Sequence, residues 1–558
     1  MPGMKVLRIY GTPVVSGMAY APALWAAHPG MPPEDAPSLD VGARQGQFRQ
    51  YEAASRAVSG RFATRAEGED GHTFDVLTML AGLARDRGLS KEVERLISQG
   101  MPALQAVIKA TEKYVAALRR AGGLTAERAA DLRDIRNRIL AELQGLPEPG
   151  IPTTKEPSIL LADDLSPADT VGLDTDKILA IATVLGGPTS HTAIVARQMG
   201  IPCIVAARQL GGISAGDMVL FDGSMGALTV NPDPEAAMAD VARDRAWRHS
   251  AHDWKGPART RDGHRVEILA NVRNLDEARK AAQSGTAEGI GMVRTEMSFL
   301  NARVEPSVAE QTELYRPIFE TFPRSKVVFR TLDAGSDKPL AFANLMVEDN
   351  PALGVRGVRI DGLHPEIMKH QLDAIAAAAS GHEGSAWVMA PMIATLAEAE
   401  WFARSVRERG LTAGIMAEVP SVAILIEQFL ERVDFVSIGT NDLSQYTMAA
   451  DRLSPNLAEY NDPWQPAVLA LIARTARAGV KMGKTVCVCG EAAADPLLAC
   501  VLVGMGVVSL SIAPPAIPIV GAQLAAVSLQ TCRDAAQAVA SARDGMHARG
   551  LARQAVGV

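Results

Sequence analysis

Apolar residues along the chain change their spacing several times, and each change marks a new kind of element. Residues 4–22 (MKVLRIYGTPVVSGMAYAP) set short apolar runs between Gly and Pro, which predicts short strands joined by tight turns. A Pro-rich segment, GMPPEDAPSLD at 30–40, leads into a long stretch dominated by Ala, Arg, Glu and Leu. There Leu104, Val107, Ile108, Val115 and Leu118 fall on one helical face, as do Leu132, Ile135, Ile139 and Leu143, so the stretch reads as a helical bundle. The turn-rich QGLPEPGIPTT (144–154) closes it. Strand-like runs then return as SILLADDL, KILAIAT, CIVAA and MVLFDG, with one helix from about Thr192 to Met199 among them. The simplest arrangement is an α/β domain made of residues 1–36 and 150–231, with the bundle (37–149) inserted into it. A charged linker helix within 232–258 leads away.

From 259 to 545 the rhythm changes again. VEILANV, GIGMVRT, KVVFRTLD, WVMAPMI, GIMAEVP, FVSIGT and TVCVCGE are short apolar runs separated by helical stretches such as LDEARKAAQSG and LAEAEWFARSVRERG. Alternation of this kind predicts a C-terminal (β/α)8 barrel. With VRGVRI and VVSLSI there are nine candidate strands for the eight places, so one of them lies outside the barrel. Residues 546–558 read as a tail.

Composition bounds this picture without deciding it. A chain of 558 residues corresponds to three or four domains at roughly 150 residues each. Lys and Arg number 56 against 63 Asp and Glu, a net charge of −7 that argues against nucleic acid or an anionic membrane as a partner of the whole protein. Cys203, Cys487, Cys489, Cys500 and Cys532 match neither a zinc ribbon nor a disulfide framework. The N-terminus shows no apolar leader segment, so a reducing cytoplasm is the expected location. Residues 496–532 carry no charge at all, yet Gly504, Gly506, Pro514, Pro515 and Pro518 interrupt the apolar run. A membrane span needs about 20 unbroken apolar residues, so this stretch reads as buried core and no membrane insertion is expected.

Candidate chemistry gathers where the predicted barrel strands end, which is where barrel enzymes place their sites. GIGMVRTE ends in Arg294, Thr295 and Glu296, and KVVFRTLDAGSDK carries Arg330, Asp333 and Lys338. Arg356 sits in ALGVRGVR, Glu418 in GIMAEVP, and Asn441, Asp442 and Arg452 in FVSIGTNDLSQYTMAADR, while TVCVCGE carries Cys489 and Glu491. Several arginines and a lysine at one mouth imply a compact, multiply charged anion such as a phosphate or carboxylate. Glu418 and Asp442, on separate strands, can share a hard divalent cation, most naturally Mg²⁺ completed by substrate oxygens and water. Cys489 is a candidate proton donor or acceptor. GIG at 289–291 lacks the third Gly and the helix-opening context of a dinucleotide fingerprint. A second signal is GGPTSHTAIVARQMGIPCIV (186–205), where His191 stands at the mouth of a helix beside the hydroxyls of Thr189, Ser190 and Thr192. A helix start favours negative charge, so an imidazole there can act as a nucleophile toward a phosphoryl group.

The segment around His191 resembles the phosphohistidine motif of the phosphoenolpyruvate-utilising enzymes. GIGMVRTE, FRTLDAGSDKPL, EDNPALGVRGVRI, IMAEVPS, SIGTNDLSQYTMAADR and CGEAAAD resemble, in order, the barrel motifs of the enzyme I family of the bacterial phosphoenolpyruvate:sugar phosphotransferase system, and ERAADLRDIRNRIL resembles its HPr-binding subdomain. Together they span roughly residues 5–530. The resemblance implies an α/β multidomain enzyme: a swivelling phosphohistidine domain with an inserted helical bundle, then a TIM barrel that binds phosphoenolpyruvate. It implies that His191 is phosphorylated, that Arg294, Arg330, Arg356, Lys338, Asn441 and Arg452 hold the substrate, that Glu418 and Asp442 bind Mg²⁺, and that Cys489 protonates the enolate to give pyruvate. The phosphoryl group then passes to a histidine of the carrier HPr, docked on the bundle, in the first step of sugar transport. A homodimer through the barrels is implied too, and His191 must swing toward the barrel.

Ser336 stands where the family usually has a second Gly, Val355 replaces an aromatic residue, and the uncharged stretch lacks the charges usual near the barrel's end. These departures bear on carrier preference and dimer strength. Two competing readings are a phosphoenolpyruvate synthase or pyruvate phosphate dikinase, which needs a nucleotide-binding domain with a phosphate-cradling loop, and a catalytically silent regulatory binder.

Overall fold

The computed structural model describes residues 7–557 apart from 28–31, 34–35, 68–70, 122, 153, 166, 171–172, 188–189, 297–298, 300–301, 336–339, 344–347 and 453. The chain divides into two compact units, Met1–Ala242 and Arg243–Val558.

The first unit holds a sheet of eight strands: β1 (Leu7–Tyr10), β2 (Thr12–Val15), β3 (Met18–Trp25), β4 (Ser158–Ala162), β5 (Ile178–Thr183), β6 (Cys203–Val205), β7 (Met218–Asp222) and β8 (Ala227–Val230). Their order across the sheet is β1-β8-β7-β3-β4-β5-β6-β2. β3, β4, β5 and β6 run parallel, and the flanking pairs are antiparallel. β4 reads SILLA and is buried at every position, as befits a strand covered on both faces. The helices α1 (Val41–Ala66), α2 (Gly71–Ala84), α3 (Arg87–Ser98), α4 (Ala103–Ala121) and α5 (Gly123–Gln144) all fall between β3 and β4. Because β3 and β4 are paired neighbours, the insertion leaves the sheet unbroken. A backbone bridge between Ala27 and Gly150 closes its two ends.

The bundle core contains Val107, Val115, Leu132, Ile135 and Ile139, with Leu104, Ile108, Leu118 and Leu143 packed against it. One buried cation ties this bundle to the sheet domain. Arg138 on α5 is 2 % exposed and donates to Asp134 at 2.8 Å, Glu148 at 2.6 Å and Asp169 at 2.8 Å, the last in the short helix Pro167–Thr170. Its guanidinium also lies 5.0 Å from the Phe62 ring.

The second unit is a closed barrel of eight parallel strands: β9 (Glu267–Val272), β10 (Ile290–Arg294), β11 (Val327–Arg330), β12 (Ala386–Ala390), β13 (Thr412–Ala417), β14 (Phe435–Gly439), β15 (Thr485–Cys489) and β16 (Ser509–Ile512). β16 pairs back onto β9, so no strand edge is left open. Of the nine candidate strands, VRGVRI is the one outside the barrel. It forms a 3₁₀ helix, Gly357–Gly362, because Gly357 takes a positive φ of 60° directly after Arg356 and turns the chain away from extended structure.

The uncharged stretch supplies helix Pro496–Met505, strand β16, helix Ile517–Ala526 and the start of helix Leu529–Val539. Leu498 to Leu502, Ile517, Val520, Leu524 and Cys532 all lie in the barrel's core. Among the described residues no single helix is long and apolar enough to cross a membrane, and the apolar pair Pro514–Ala526 and Leu529–Val539 is bent by 101°. The segment expected as a tail, 546–558, is instead mostly helix, Gly545–Val556. Ala548 and Ala552 are buried there, and Arg549 pairs with Asp462 at 2.8 Å and Asp495 at 3.2 Å. Helix Pro234–His252 carries the boundary between the two units.

Arg138→Met is expected to destabilise the first unit by about 3 kcal/mol, because it removes the buried cation that Asp134, Glu148 and Asp169 share. Calorimetric unfolding of the full chain measures this as a lowered transition temperature.

Candidate active site

All eight barrel strands run parallel, so their C-terminal ends share one rim, and the chemistry-bearing residues stand on it. Arg294 and Arg330 are the last residues of β10 and β11, and Cys489 is the last of β15. Glu418 follows β13 immediately. Asn441 and Asp442 lie in the first turn of helix Thr440–Met448, which starts where β14 ends. Arg356 is brought to the rim by a backbone bridge to Gly335 in the loop after β11. Arg452 follows the helix after β14. Lys338 and Ser336 lie outside the described residues.

Arg330, Arg356, Asp442 and Arg452, with Glu296 and Asp333, form one continuous run of ion pairs. Glu296 pairs with Arg330, and Arg330 Nη1 lies 2.9 Å from Asp333 Oδ2. Asp333 takes a fork from Arg356, Nε to Oδ1 at 2.9 Å and Nη2 to Oδ2 at 3.1 Å. Arg356 forks again onto Asp442, Nη1 to Oδ1 at 2.8 Å and Nη2 to Oδ2 at 3.2 Å. Asp442 Oδ2 also accepts from Arg452 Nη1 at 3.0 Å. Glu296, Arg330, Asp333, Arg356 and Asp442 are all buried.

Not every polar atom in this run is satisfied. Arg330 Nε and Glu296 Oε2 are buried without a hydrogen-bond partner among the described residues. Arg294 has neither a hydrogen bond nor an ion pair among them. Burial and the nearby Arg330 guanidinium pull the Arg294 pKa below its usual range. The buried Arg330 Nε–H and the unspent donors of the half-buried Arg294 are what a bound anion satisfies.

Glu418 is 1 % exposed and accepts a hydrogen bond from the Met392 N–H at 2.7 Å. Burial pushes its carboxyl up to about 8, helped by the charges of Asp442 and Asp333 and opposed by Arg330 and Arg356. Burial also works against ionisation of Asp442, but Arg452 and Arg356 hold that carboxyl below the usual range. A divalent cation beside the pair would keep Glu418 ionised. The donors are all hard oxygens, which fits Mg²⁺. No group of three or more metal-ligating side chains occurs among the described residues, so the remaining positions of such an ion fall to substrate oxygens and water.

Cys489 is buried and donates its S–H to the Ile438 carbonyl at 3.4 Å. Burial raises its pKa, so the thiol keeps its proton at neutral pH and is available as an acid.

In the first unit His191 opens the helix His191–Met199. Ser190 caps that helix, its hydroxyl accepting from the Ala193 N–H at 3.3 Å, and Thr192 donates to Asp164 at 3.3 Å. Thr189 lies outside the described residues.

Some contributors are invisible in linear sequence. Gln371, on helix Pro365–Ala378, is fully buried. It accepts from the Leu332 N–H at 2.8 Å and donates to Thr295 Oγ1 at 3.0 Å, bracing the loops after β10 and β11. Tyr446 donates to the Ala352 carbonyl at 2.5 Å and accepts from Arg356 at 3.4 Å. No local motif marks either residue. Glu296 and Asp333 are visible as rim residues, but their pairing partners are not.

A (β/α)8 barrel gathering arginines and carboxylates at its mouth, in a chain that also presents a histidine at a helix start, defines an enzyme that handles a small, multiply charged anion. Three domain families match in order: "PEP-utilising enzyme, N-terminal" over residues 10–128, "PEP-utilising enzyme, mobile domain" over 154–226, and "PEP-utilising enzyme, PEP-binding domain" over 248–529. The phosphoenolpyruvate-protein phosphotransferase of Streptomyces coelicolor is 46% identical over 529 residues, covering 94% of this chain and 94% of its own. The Haloferax volcanii protein of that name is 36% identical over 86% of both chains, and the Bacillus subtilis one is 35% identical over 72% of this chain and 74% of its own. The chain belongs to the phosphoenolpyruvate-utilising enzymes, and within them to the phosphoenolpyruvate-protein phosphotransferases, the enzyme I family.

Cys489 in the folded chain is expected to react with iodoacetamide at pH 8 at least about tenfold more slowly than in denaturant, since it is buried and protonated. Mass spectrometry of the peptide that carries it reads the difference.

Proposed function

We propose that the barrel mouth binds phosphoenolpyruvate and that its phosphoryl group passes to His191 and then to a histidine of an HPr-like carrier protein. The observation that carries this reading is the meeting of Arg294, Arg330 and Arg452 with Glu418 and Asp442 at one rim, with the buried Arg330 Nε–H left idle among them. Phosphoryl transfer asks a protein mainly for positioning and for positive charge around the moving group.

In this reading Arg294, Arg330 and Arg452, with Asn441 and Lys338, hold the phosphate and carboxylate of the substrate. Glu418 and Asp442 would hold Mg²⁺, which when bound supplies Lewis-acid stabilisation of charge on the phosphate and enolate oxygens. The bond from phosphorus to the enol oxygen breaks as a bond forms from phosphorus to a ring nitrogen of His191. The electron pair left on the enolate takes a proton at carbon from the Cys489 thiol, giving pyruvate, and the thiolate recovers its proton from solvent. His191 belongs to the first unit, so transfer requires that helix start to visit the rim. The neutral imidazole attacks, and the ring proton it sheds goes to solvent or a neighbouring acceptor.

Docking of the carrier on the bundle α1–α5, assembly as a homodimer through the barrel and a cytoplasmic location belong to the same reading, supported by the family resemblance.

Incubation with phosphoenolpyruvate, Mg²⁺ and the host's HPr-like protein should release pyruvate continuously. His191→Ala should abolish labelling of the chain by phosphoenolpyruvate carrying ³²P. A label that persists in that variant overturns the assignment. Cys489→Ala should slow turnover by about 100-fold while leaving substrate binding intact.

Glu418→Gln should leave the metal-free melting temperature nearly unchanged, because the carboxyl it replaces is already held protonated at neutral pH. The same change should remove the rise in melting temperature that Mg²⁺ gives the unmodified chain. Calorimetry with and without Mg²⁺ measures both.

A further inference from the structure

The site arginines differ in how many of their donors are already spent. A guanidinium offers five N–H groups. Arg294 spends none on a described residue. Arg330 has its Nε idle and buried. Arg452 is the most accessible of those in the ion-pair run, with 21% of its side chain exposed. Arg356 is 1 % exposed and makes five hydrogen bonds: two to Asp333, two to Asp442 and one to the Tyr446 hydroxyl. It has no donor left. A substrate oxygen could bind Arg356 only by displacing a buried carboxylate from it.

We infer that Arg356 is a positioning residue: it holds the Asp442 carboxylate for the metal and does not itself bind the substrate. The role rests on the function proposed above, but it departs from the substrate-clamp role that the sequence motif implies.

The local backbone explains why Arg356 is so fully engaged. Arg356 bridges Gly335, and the Gly357 N–H donates to the Ala334 carbonyl at 2.9 Å. A Cβ on Gly335 would press on the Val355 carbonyl and on Arg356 itself, so the close approach requires glycine there. The positive φ of Gly357 then turns the chain away directly after the arginine. Together these features aim the Arg356 side chain between two carboxylates and leave it little freedom.

What the arginine does to Asp442 follows from counting acceptors. Among the described residues Asp442 Oδ2 accepts from both Arg356 and Arg452, whereas Oδ1 accepts from Arg356 alone. A carboxylate oxygen has two lone pairs, so the acceptor position that remains is on Oδ1. Arg356 thereby fixes the plane of the carboxylate and decides which oxygen is offered to a cation. Partners that orient a metal ligand in this way typically change metal affinity or activity by about 10- to 100-fold when removed.

The decisive variant is Arg356→Lys, which keeps the buried charge but has no planar fork and cannot serve both carboxylates bidentately. Three measurements on the full chain separate positioning from clamping. Calorimetric titration with phosphoenolpyruvate in EDTA should give a Kd within about threefold of the unmodified chain, while Arg294→Met weakens it by about tenfold or more. The EPR signal of Mn²⁺, added without substrate, should report metal binding weakened by about tenfold. Pyruvate release should show kcat lowered by about 100-fold with KM for phosphoenolpyruvate little changed.

The inference is overturned if Arg356→Lys loses phosphoenolpyruvate affinity in EDTA as Arg294→Met does, or if its Mn²⁺ affinity and kcat are both unchanged. Arg356→Gln, judged by the same two binding measurements, decides the matter should the lysine variant fail to fold. Absence of pyruvate release from the unmodified chain would instead sink the proposed function, and the Mn²⁺ titration would still judge the hold on Asp442.

Discussion

The barrel mouth is organised by one buried interaction, the double fork of Arg356 between Asp333 and Asp442. Through Asp333 it reaches Arg330 and Glu296, and through Asp442 it reaches Arg452. Residues from the connections after β10, β11 and β14 are thereby held in one charge network. Such an arrangement contributes little to net stability, because the desolvation of buried ions offsets most of their attraction. Its value is geometric. Each charge is held at a fixed place before any ligand arrives, and fixed charges need not reorganise as a reaction proceeds.

The balance of charge at the rim follows from this. Four arginines (Arg294, Arg330, Arg356 and Arg452) face four carboxylates (Glu296, Asp333, Glu418 and Asp442). Asp442 is kept ionised by two arginines, whereas Glu418 has none in hydrogen-bond contact and is pushed up to about 8 by burial. With Glu418 protonated at neutral pH, these eight groups carry one more positive than negative charge, which suits an incoming anion. In the proposed function the same two carboxylates would share a cation once Glu418 gives up its proton, so that anion and metal would be received together. The apolar barrel interior beneath, where Met292, Val328, Met389, Met416 and Phe435 cluster with Cys489, supplies the low-dielectric support that makes these charges matter.

The first unit works by a different physical device. His191 owes its place to a capped helix start, where unpaired N–H groups favour negative charge. The helical insertion enters between two strands that remain paired, so a whole bundle is added without breaking the sheet. Arg138 makes the junction firm: its three carboxylate partners come from the bundle, from the segment after it and from the sheet domain.

The amino-acid sequence by itself determined the order of elements, and it did so where local periodicity is strong. The two helical faces of α4 and α5, the inserted bundle and seven barrel strands ending in polar residues all follow from side-chain spacing, which local backbone geometry dictates. It also determined which residue types stand at the rim, because a strand end is a position along the chain. Three features escaped it. VRGVRI has the composition of a strand, yet a positive φ at Gly357 and the bridge to Gly335 make it a turn. Residues 546–558 look like a tail, but burial of Ala548 and Ala552 and the pairing of Arg549 with Asp462 and Asp495 make them part of the barrel's packing. The role of Arg356 was decided only by tertiary structure. Whether an arginine clamps a ligand or is consumed by its neighbours depends on residues 23 and 86 positions away along the chain, and nothing in local sequence counts its free donors.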